Sequence, residues 1–262
     1  MSNGLDAIAR IIKKDFLLND KDYHILVFGG EGTGKSNWAF CMASMVSAIF
    51  GVKNVCFDRQ GFMKLVNTLN SGSVIIGDEG ANIIAKSDTL KPEQKQVVKK
   101  ITMMRKLNLC IIFCMSDPNM LHNYYVRHRL SEKGIAVVRV TSRGEFIWYS
   151  NINGALTIMR SRLLKQGQTF SWSDIKGKGL RGKFWCYEAK HPKFSEEYRK
   201  RNREAITGIS IEEGPKGFTK GEVIEMFLIN TELSNYRIAQ VVGCSSSYVR
   251  EKNRELKEIM KR

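Results

Sequence analysis

The sequence predicts an open α/β fold, with a mainly parallel sheet and helices on both faces, followed by a small all-α unit. Over the first 150 residues, short apolar runs alternate with segments whose apolar residues recur at helical spacing. A glycine-rich segment, residues 29–36, joins one such run to a helical segment. We therefore predict an α/β domain at residues 1–163, a glycine-rich basic linker and helix at 164–215, and an all-α domain at 216–262.

Each element of the α/β part has its own sequence signal. A helix at residues 3–18, within an N-terminal segment 1–20, carries an apolar stripe that could cover a sheet edge or a neighbouring subunit. Residues 109–115 are apolar throughout, as expected of a central parallel strand. Residues 142–144 are typical of a hairpin turn. The remaining strands are predicted at 24–28, 54–58, 73–77, 135–141 and 145–149, and helices at 36–50, 61–70, 91–107, up to about 130, and 192–206.

The composition favours a polyanionic partner inside a cell. Lys and Arg number 42 against 26 Asp and Glu, a formal net charge of +16. This excess points to nucleic acid first and a membrane surface second, with a merely solubilising surface as the alternative. The six cysteines show no second pair at metal-ligand spacing, so free thiols are expected and zinc is not. With no signal-peptide or membrane-spanning run, we expect a soluble cytoplasmic protein, in the host cytoplasm if the source is a virus.

Residues 29–36 read Gly-Gly-Glu-Gly-Thr-Gly-Lys-Ser, a glycine, four free positions and then Gly-Lys-Ser. Glycines allow successive backbone N–H groups to face inward around an anion, and the following helix N-terminus adds partial positive charge. Lys35 would reach the β- and γ-phosphates, and the Ser36 hydroxyl would bind Mg²⁺. The alternative is a glycine-rich turn with an incidental lysine. The predicted nucleotide-binding residues are Gly29, Gly30, Glu31, Gly32, Thr33, Gly34, Lys35, Ser36 and Asn37.

Two acids, Asp78 and Glu79, follow the apolar strand at residues 73–77. Ligands of parallel sheets bind at the carboxyl ends of the strands, which is where these acids would lie. Asp78 could hold the Mg²⁺ shell opposite Ser36, and Glu79 could polarise the water that attacks the γ-phosphate. The alternative is an acidic turn after a strand.

The two motifs, residues 29–36 and 74–79, resemble the Walker A and Walker B motifs of P-loop NTPases with an additional strand and a catalytic glutamate. The resemblance implies that ATP is hydrolysed with Mg²⁺ and that the strand at 109–115 is inserted between the loop strand and the Asp-Glu strand. It also implies a polar residue at the end of the inserted strand that contacts the γ-phosphate, here Ser116. Size and the basic stretch 127–129 look most like the DNA-pumping branch: FtsK/HerA-type motors, viral packaging ATPases and zonula-occludens-toxin-like proteins.

Such ATPases usually work as rings in which a neighbouring subunit donates an arginine to the γ-phosphate. The resemblance therefore implies a homo-oligomer, for which a hexamer is one option. The candidate arginines are Arg105, Arg127, Arg129 and Arg143, with Arg127 and Arg129 favoured. For any one of them, a surface or phosphate-contacting role is the alternative.

The segment 235–254 resembles a helix-turn-helix. Ala239 is small enough for two helices to cross closely, Gly243 suits the turn, and Val249 would pack the second helix on the first. Lys252 departs from the pattern, since an apolar residue is usual there, and Leu256 could replace it. A protein-docking module is the alternative. The residues expected to contact DNA from the second helix are Ser246, Ser247, Tyr248, Arg250, Asn253 and Arg254.

The sequence as a whole predicts a DNA-associated ATPase in which ATP turnover drives translocation, packaging or remodelling of DNA, in a virus or mobile element. The alternatives are an ATP-dependent loader or switch at a DNA site, and a helix-turn-helix regulator gated by nucleotide. A small-molecule kinase is disfavoured by the basic charge. Four aromatic residues among basic ones could stack on single-stranded bases, although core packing is the favoured use: Trp172, Phe184, Trp185 and Tyr187.

Overall fold

The computed structural model describes residues 4–14, 22–84, 107–130, 135–150, 154–209, 224, 228, 234–242 and 246–259. The chain divides into two compact units, Met1–Glu197 and Tyr198–Arg262. Its helices, numbered in chain order, are α1 (Gly4–Lys13), α2 (Lys35–Val46), α3 (Arg59–Thr68), α4 (Gly80–Ile84), α5 (Asn123–His128), α6 (Ala155–Leu164), α7 (Tyr187–Lys190), α8 (Pro192–Ile209), α9 (Asn235–Val242) and α10 (Ser246–Ile259).

The first unit is built on one sheet, which has seven strands in the described part of the chain. Its order is β2-β3-β4-β1-β5-β6-β7, so β4 lies between β1 and β3. The first five strands in this order run parallel, β6 is antiparallel to β5, and β7 is antiparallel to β6. The strands are β1 (Tyr23–Phe28), β2 (Val55–Cys56), β3 (Val74–Gly77), β4 (Cys110–Met115), β5 (Ile135–Ser142), β6 (Glu145–Tyr149) and β7 (Leu180–Lys183).

Both faces of the sheet are covered by helices, which confirms the predicted α/β class. On one face lies α2, whose Trp38 packs against Phe146 and Trp148 of β6. On the other face Phe28 belongs to a buried cluster with Phe62 of α3, and α5 and α6 pack there as well. Residues of the central strands are buried on both sides, because a parallel sheet between two helical layers has no solvated face.

The N-terminal helix covers the sheet at its β7 edge. A sheet edge was one of the two surfaces that we predicted it to cover. Leu5, Ile8 and Ile12 of α1 are buried, and the helix contacts α2 and β7. Ile11, on the outer side, is 51% exposed. Burying these three side chains stabilises the edge by roughly 1.5–3 kcal/mol each.

The region predicted as a linker, residues 164–215, differs from that expectation in its first half. The strand β7 pairs with β6, and Phe170 and Ile175 are buried in the cluster beneath the sheet. Leu180 at the start of β7 is 63% exposed, and Arg181 and Lys183 are exposed too. A polar edge strand lacks the apolar run that would have marked it. The predicted helix at 91–107 and the candidate Arg105 lie outside the described residues.

The aromatic residues considered for base stacking are used in packing. Trp172 stacks on Tyr149, with ring centroids 5.7 Å apart. Tyr187 is buried against Phe40 and Phe194, at 6.1 and 5.1 Å between centroids. Phe184 is buried beside Phe146, and Lys190 lies over the ring of Trp185. Packing is therefore the role of Trp172, Phe184 and Tyr187.

Among the described helices, none combines the length and the apolar character that crossing a bilayer would require.

A buried ion pair stabilises the end of β1 that lies away from the glycine loop. Asp22 accepts hydrogen bonds from Arg129 Nη1 at 2.8 Å and His24 Nε2 at 3.1 Å, and His24 Nδ1 lies 2.7 Å from the Tyr125 hydroxyl. Burial tends to raise the pKa of Asp22, but the hydrogen bonds and positive charges of His24 and Arg129 lower it to about 2. The carboxylate thus stabilises the fold above its unfolded pKa, near 3.8, and this contribution is lost as the pH falls towards 2.

Replacing Asp22 by Asn should lower the free energy of unfolding at neutral pH by about 2–4 kcal/mol, because the buried Arg129 would lose its carboxylate partner. Urea unfolding measures this, with Glu197→Gln, a change at an exposed acid, as the control. The difference between wild type and Asp22→Asn should shrink as the pH falls from 3.8 towards 2, since Asp22 is then protonated in the unfolded chain while still ionised in the folded protein. Equal stability at neutral pH would contradict this account of the pair.

Candidate functional site

The glycine loop lies between β1 and α2, at the carboxyl edge of the parallel strands. Gly32 and Gly34 have φ of 69° and 97°, in the left-handed region that residues with a Cβ rarely adopt. A Cβ on Gly29 would lie 2.7 Å from the Val140 carbonyl oxygen of β5. The loop thus needs glycine at these three positions, for its turns and for its close approach to β5.

Lys35, the first residue of α2, is held against the loop. Its Nζ donates to the carbonyl oxygens of Gly29 and Gly30 at 3.0 and 2.9 Å. The Thr33 hydroxyl also donates to Gly30, at 2.8 Å. The first helical hydrogen bond runs from Trp38 N to Gly34 O. The N–H groups of the first turn of α2 therefore have no intrahelical acceptor and are suited to binding an anion.

The two predicted acids lie at the same edge, two strands away. Asp78 follows β3, is buried, and donates its backbone N–H to Cys56 O at 2.9 Å. Glu79 is still reached by solvent. Partial burial and the charges of Asp78 and Glu31 raise the pKa of Glu79, whereas the positive charge of Lys35 opposes this rise. Lys35 is thus close enough to Glu79 to act on its charge.

Cys114 lies in β4, the strand between β1 and β3, and sequence reasoning gave it no role in the site. The Cys114 thiol is buried near Asp78, and burial raises its pKa well above the ordinary value. Negative charge on Asp78 and Glu79 adds to this rise, and Lys35 opposes it. The thiol therefore stays protonated and uncharged beside the Asp78 carboxylate. A residue in an unbroken apolar strand carries no sequence signal for such a contact.

The oxygen ligands expected for Mg²⁺ fit the residues present. Ser36 lies at the start of α2, and Asp78 lies across β4 from it at the carboxyl edge. A hydroxyl, a carboxylate and phosphate oxygens are the hard ligands that Mg²⁺ prefers, with water completing the octahedron. Ser36 and Asp78 are therefore the residues that would hold the ion.

Two further predicted residues differ in their fit to the site. Ser116 is exposed directly beyond β4, and Met115 pairs with Phe28, so Ser116 lies level with the start of the glycine loop. Its hydroxyl contacts Met120 Sδ at 3.7 Å. The Asn37 side chain instead bonds to α7: Nδ2 donates to Glu188 Oε1 at 3.1 Å, and Oδ1 accepts from Glu188 N at 3.2 Å. Only the backbone N–H of Asn37 remains suited to a phosphate.

The candidate arginines differ in their exposure and in their distance from the glycine loop. Arg129 is 5% exposed and bonded to Asp22, at the end of β1 opposite the loop and therefore about 20 Å from it along the strand. It cannot enter a neighbour's site, so its prediction as a γ-phosphate ligand does not fit. Arg127, on α5, is exposed. Arg143, at the β5–β6 turn, donates from Nε to Gly32 O at 3.1 Å.

The C-terminal unit contains the two helices of the predicted helix-turn-helix, α9 and α10, which pack on each other. Ile238, Ala239 and Val249 are buried. Gly243 and the side chain of Leu256 lie outside the described residues. Asn253 Nδ2 donates to Asn235 Oδ1 at 3.1 Å, so this side chain ties α10 to α9 and is a poor candidate for a base contact. Ser246 is half-buried, whereas four predicted DNA contacts are exposed: Ser247, Tyr248, Arg250 and Arg254.

No protein-family model and no curated protein matches the chain. Among solved structures, it is similar to the N-terminal domain of zonular occludens toxin from Neisseria meningitidis, at 11% identity and a TM-score of 0.40, covering 63% of this chain and 95% of that one. It is also similar to the genome packaging NTPase B204 from Sulfolobus turreted icosahedral virus 2, in complex with ATP-gammaS, at 15% identity and a TM-score of 0.34, covering 50% and 93%.

A third similar structure is AMPPCP-bound DnaA from Aquifex aeolicus, at 15% identity and a TM-score of 0.35, covering 100% of this chain and 90% of that one. Independently of these likenesses, β4 lies between the loop strand β1 and the acid strand β3, and the loop joins β1 to α2. This strand order and this loop are those of the P-loop NTPase fold.

Proposed function

We propose that the chain is a Mg²⁺-dependent ATPase that acts on DNA, working as a ring of identical subunits. The observation that supports the proposal is that Lys35, at the start of α2, and Asp78 and Glu79, directly after β3, lie at one edge of the parallel sheet, where the positive charge of Lys35 opposes the rise in the Glu79 pKa. A cation for phosphate beside a base for water is the arrangement that phosphoryl transfer to water requires.

The chain's own residues divide the work. Loop N–H groups and Lys35 would bind the β- and γ-phosphates, and Lys35 Nζ would exchange the Gly29 and Gly30 carbonyls for phosphate oxygens. Bound through Ser36 and Asp78, Mg²⁺ would neutralise phosphate charge. Glu79 would take a proton from the attacking water. The water oxygen would bond to the γ-phosphorus while the bond between that phosphorus and the ADP oxygen breaks. Ser116, level with the start of the glycine loop, would contact the γ-phosphate.

The raised pKa of Glu79 predicts the pH dependence of turnover. A base acts only when deprotonated, so kcat/KM, which reports the free protein, should fall on the acid side with an apparent pKa above the 4.5 of an ordinary glutamate. Steady-state ATPase assays over a range of ATP concentrations, from neutral pH down to that value, measure this, with circular dichroism to check folding. An acid limb at or below 4.5 in a folded protein would contradict the role of Glu79.

The DNA part of the proposal is supported by the +16 net charge and by the exposed residues at the start of α10. Ser247, Tyr248 and Arg250 could reach base edges or phosphates, as the second helix of a helix-turn-helix does. Replacing Arg250 by Ala should weaken binding to duplex DNA and reduce the salt dependence of the affinity, as loss of one phosphate contact does. Glu251→Gln, a change at an exposed acid on the same helix, should not weaken it.

One measurement tests the proposal as a whole: the ATPase rate with and without single- or double-stranded DNA, alongside the mass in solution with an ATP analogue. We expect DNA to stimulate turnover and the analogue to favour the oligomer. A persistent monomer whose rate ignores DNA would overturn the ring motor. A protein that hydrolyses ATP on DNA without moving along it would instead be a loader or switch.

A further inference from the structure

The tip of the β5–β6 hairpin lies against the glycine loop of its own chain. The strand β5 is the direct neighbour of β1, with Arg139 level with Phe28. The residues that follow this pair, Gly29 and Val140, also lie close together. A Cβ on Gly29 would be 2.7 Å from Val140 O. The hairpin tip, which follows Val140, is therefore beside the loop without the help of any other subunit.

Three contacts hold the tip in place. The Phe184 N–H donates to Gly144 O at 2.9 Å, which ties the tip to the segment after β7. Within the turn, the Ser142 hydroxyl donates to Glu145 Oε2 at 3.2 Å, and the Thr141 hydroxyl donates to Glu145 O at 3.4 Å. The residue between these anchors, Arg143, thus starts from a fixed backbone position.

Arg143 is exposed and gives its Nε–H to Gly32 O at 3.1 Å. A guanidinium has five N–H donors in a planar fork, and this bond uses one of them. Gly32 is in the middle of the loop, between the residues whose carbonyls accept from Lys35 and the start of α2. Arg143 therefore has donors to spare next to the cradle in which the phosphates would lie.

The charges at the site call for a second cation. The negative charges of Asp78 and Glu31 raise the pKa of Glu79, and the positive charge of Lys35 opposes this rise. A bound triphosphate adds several negative charges, and charge spreads over the γ-phosphoryl oxygens as it is transferred. Arg143 reaches the loop in cis, whereas Arg129 is buried at the far end of β1.

We propose that Arg143 contacts the γ-phosphate of the nucleotide bound by its own subunit, acting in cis rather than as an arginine donated to a neighbour. This inference rests on the proposed ATPase function. On triphosphate binding, the side chain turns from Gly32 O to the γ-phosphate oxygens. Its planar fork suits two of those oxygens at once, which a lysine cannot match.

The first test compares Arg143→Ala, Arg143→Lys and the control Arg203→Ala, a change at an exposed arginine on α8. Arg143→Ala should lower kcat by about 100-fold or more, and Arg143→Lys should recover part of it. Fluorescent-nucleotide titration should show weaker binding of a non-hydrolysable ATP analogue but unchanged binding of ADP. Equal losses for the two nucleotides would mean that Arg143 only shapes the loop, and would overturn the proposal.

The second test mixes Arg143→Ala subunits with Glu79→Gln subunits in equal amounts. If Arg143 acts in cis, the mixture should be no more active than its Arg143→Ala component. If Arg143 served a neighbour, Glu79→Gln subunits would supply it to intact Arg143→Ala sites, and the rate would recover. Recovery, or wild-type activity of Arg143→Ala alone, overturns the proposal. A wild type without affinity for ATP would instead overturn the ATPase function, and this inference with it.

Discussion

Replacing Glu79 by Gln is expected to stop ATP turnover while leaving ATP bound. The amide keeps the size of the side chain but cannot take a proton from water, and a positioned base contributes about 100-fold or more to such a rate. The affinity for ATP should stay the same or rise, because Glu79 adds negative charge beside the phosphates. Steady-state ATPase assays and nucleotide titration measure the two effects separately.

Glu196→Gln, the same chemical change at an exposed acid of α8, is the matched control and should behave as wild type. A Glu79→Gln protein with normal turnover would place the water-activating base elsewhere. A Glu79→Gln protein that has lost ATP binding would mean that Glu79 serves the shape of the site and not the chemistry.

Replacing Lys35 by Ala should remove nucleotide binding, the step that precedes hydrolysis. Each charge-assisted hydrogen bond from Nζ is worth about 1.5–3 kcal/mol, so losing two phosphate contacts should weaken binding by about 100-fold or more. Titration with a fluorescent ATP analogue measures this, with Lys193→Ala, at an exposed lysine of α8, as the control.

Lys35 also donates hydrogen bonds to the carbonyl oxygens of Gly29 and Gly30, so the substitution removes contacts within the loop as well as contacts to phosphate. Thermal unfolding should therefore be measured alongside the titration. An Lys35→Ala protein that melts as wild type but fails to bind nucleotide supports the direct role. Unchanged affinity would refute the assignment of the cradle, and with it every step that depends on a bound triphosphate.

Local patterns were enough to predict the sheet core and the two motifs. The strands β1, β3 and β4 match the apolar runs to within a residue at each end, because strands buried on both faces must be apolar. The placing of β4 between β1 and β3 was implied by the resemblance and is confirmed by the strand order. The position of Asp78 and Glu79 at the same sheet edge as Lys35 then follows from geometry, since parallel strands end at one edge.

The features that sequence reasoning missed all depend on partners distant in the chain. Arg129 was one of the two arginines favoured as a γ-phosphate ligand, and only the fold brings Asp22 to it. The strand β7 is polar because it lies at an edge, and its pairing with β6 crosses a segment that reads as a loop. Asn37 adjoins the phosphate motif, yet its amide faces Glu188 of α7. No local pattern contains such contacts.

The insertion of β4 has a consequence for how the protein is made. The ribosome releases the glycine loop and the Asp-Glu pair early, but the strand that separates and aligns them emerges later. Until β4 pairs with β1 and β3, the edges of these two apolar strands that β4 will occupy have no hydrogen-bonding partner. Nascent chains should therefore be prone to aggregation and unable to retain nucleotide until translation has passed Met115.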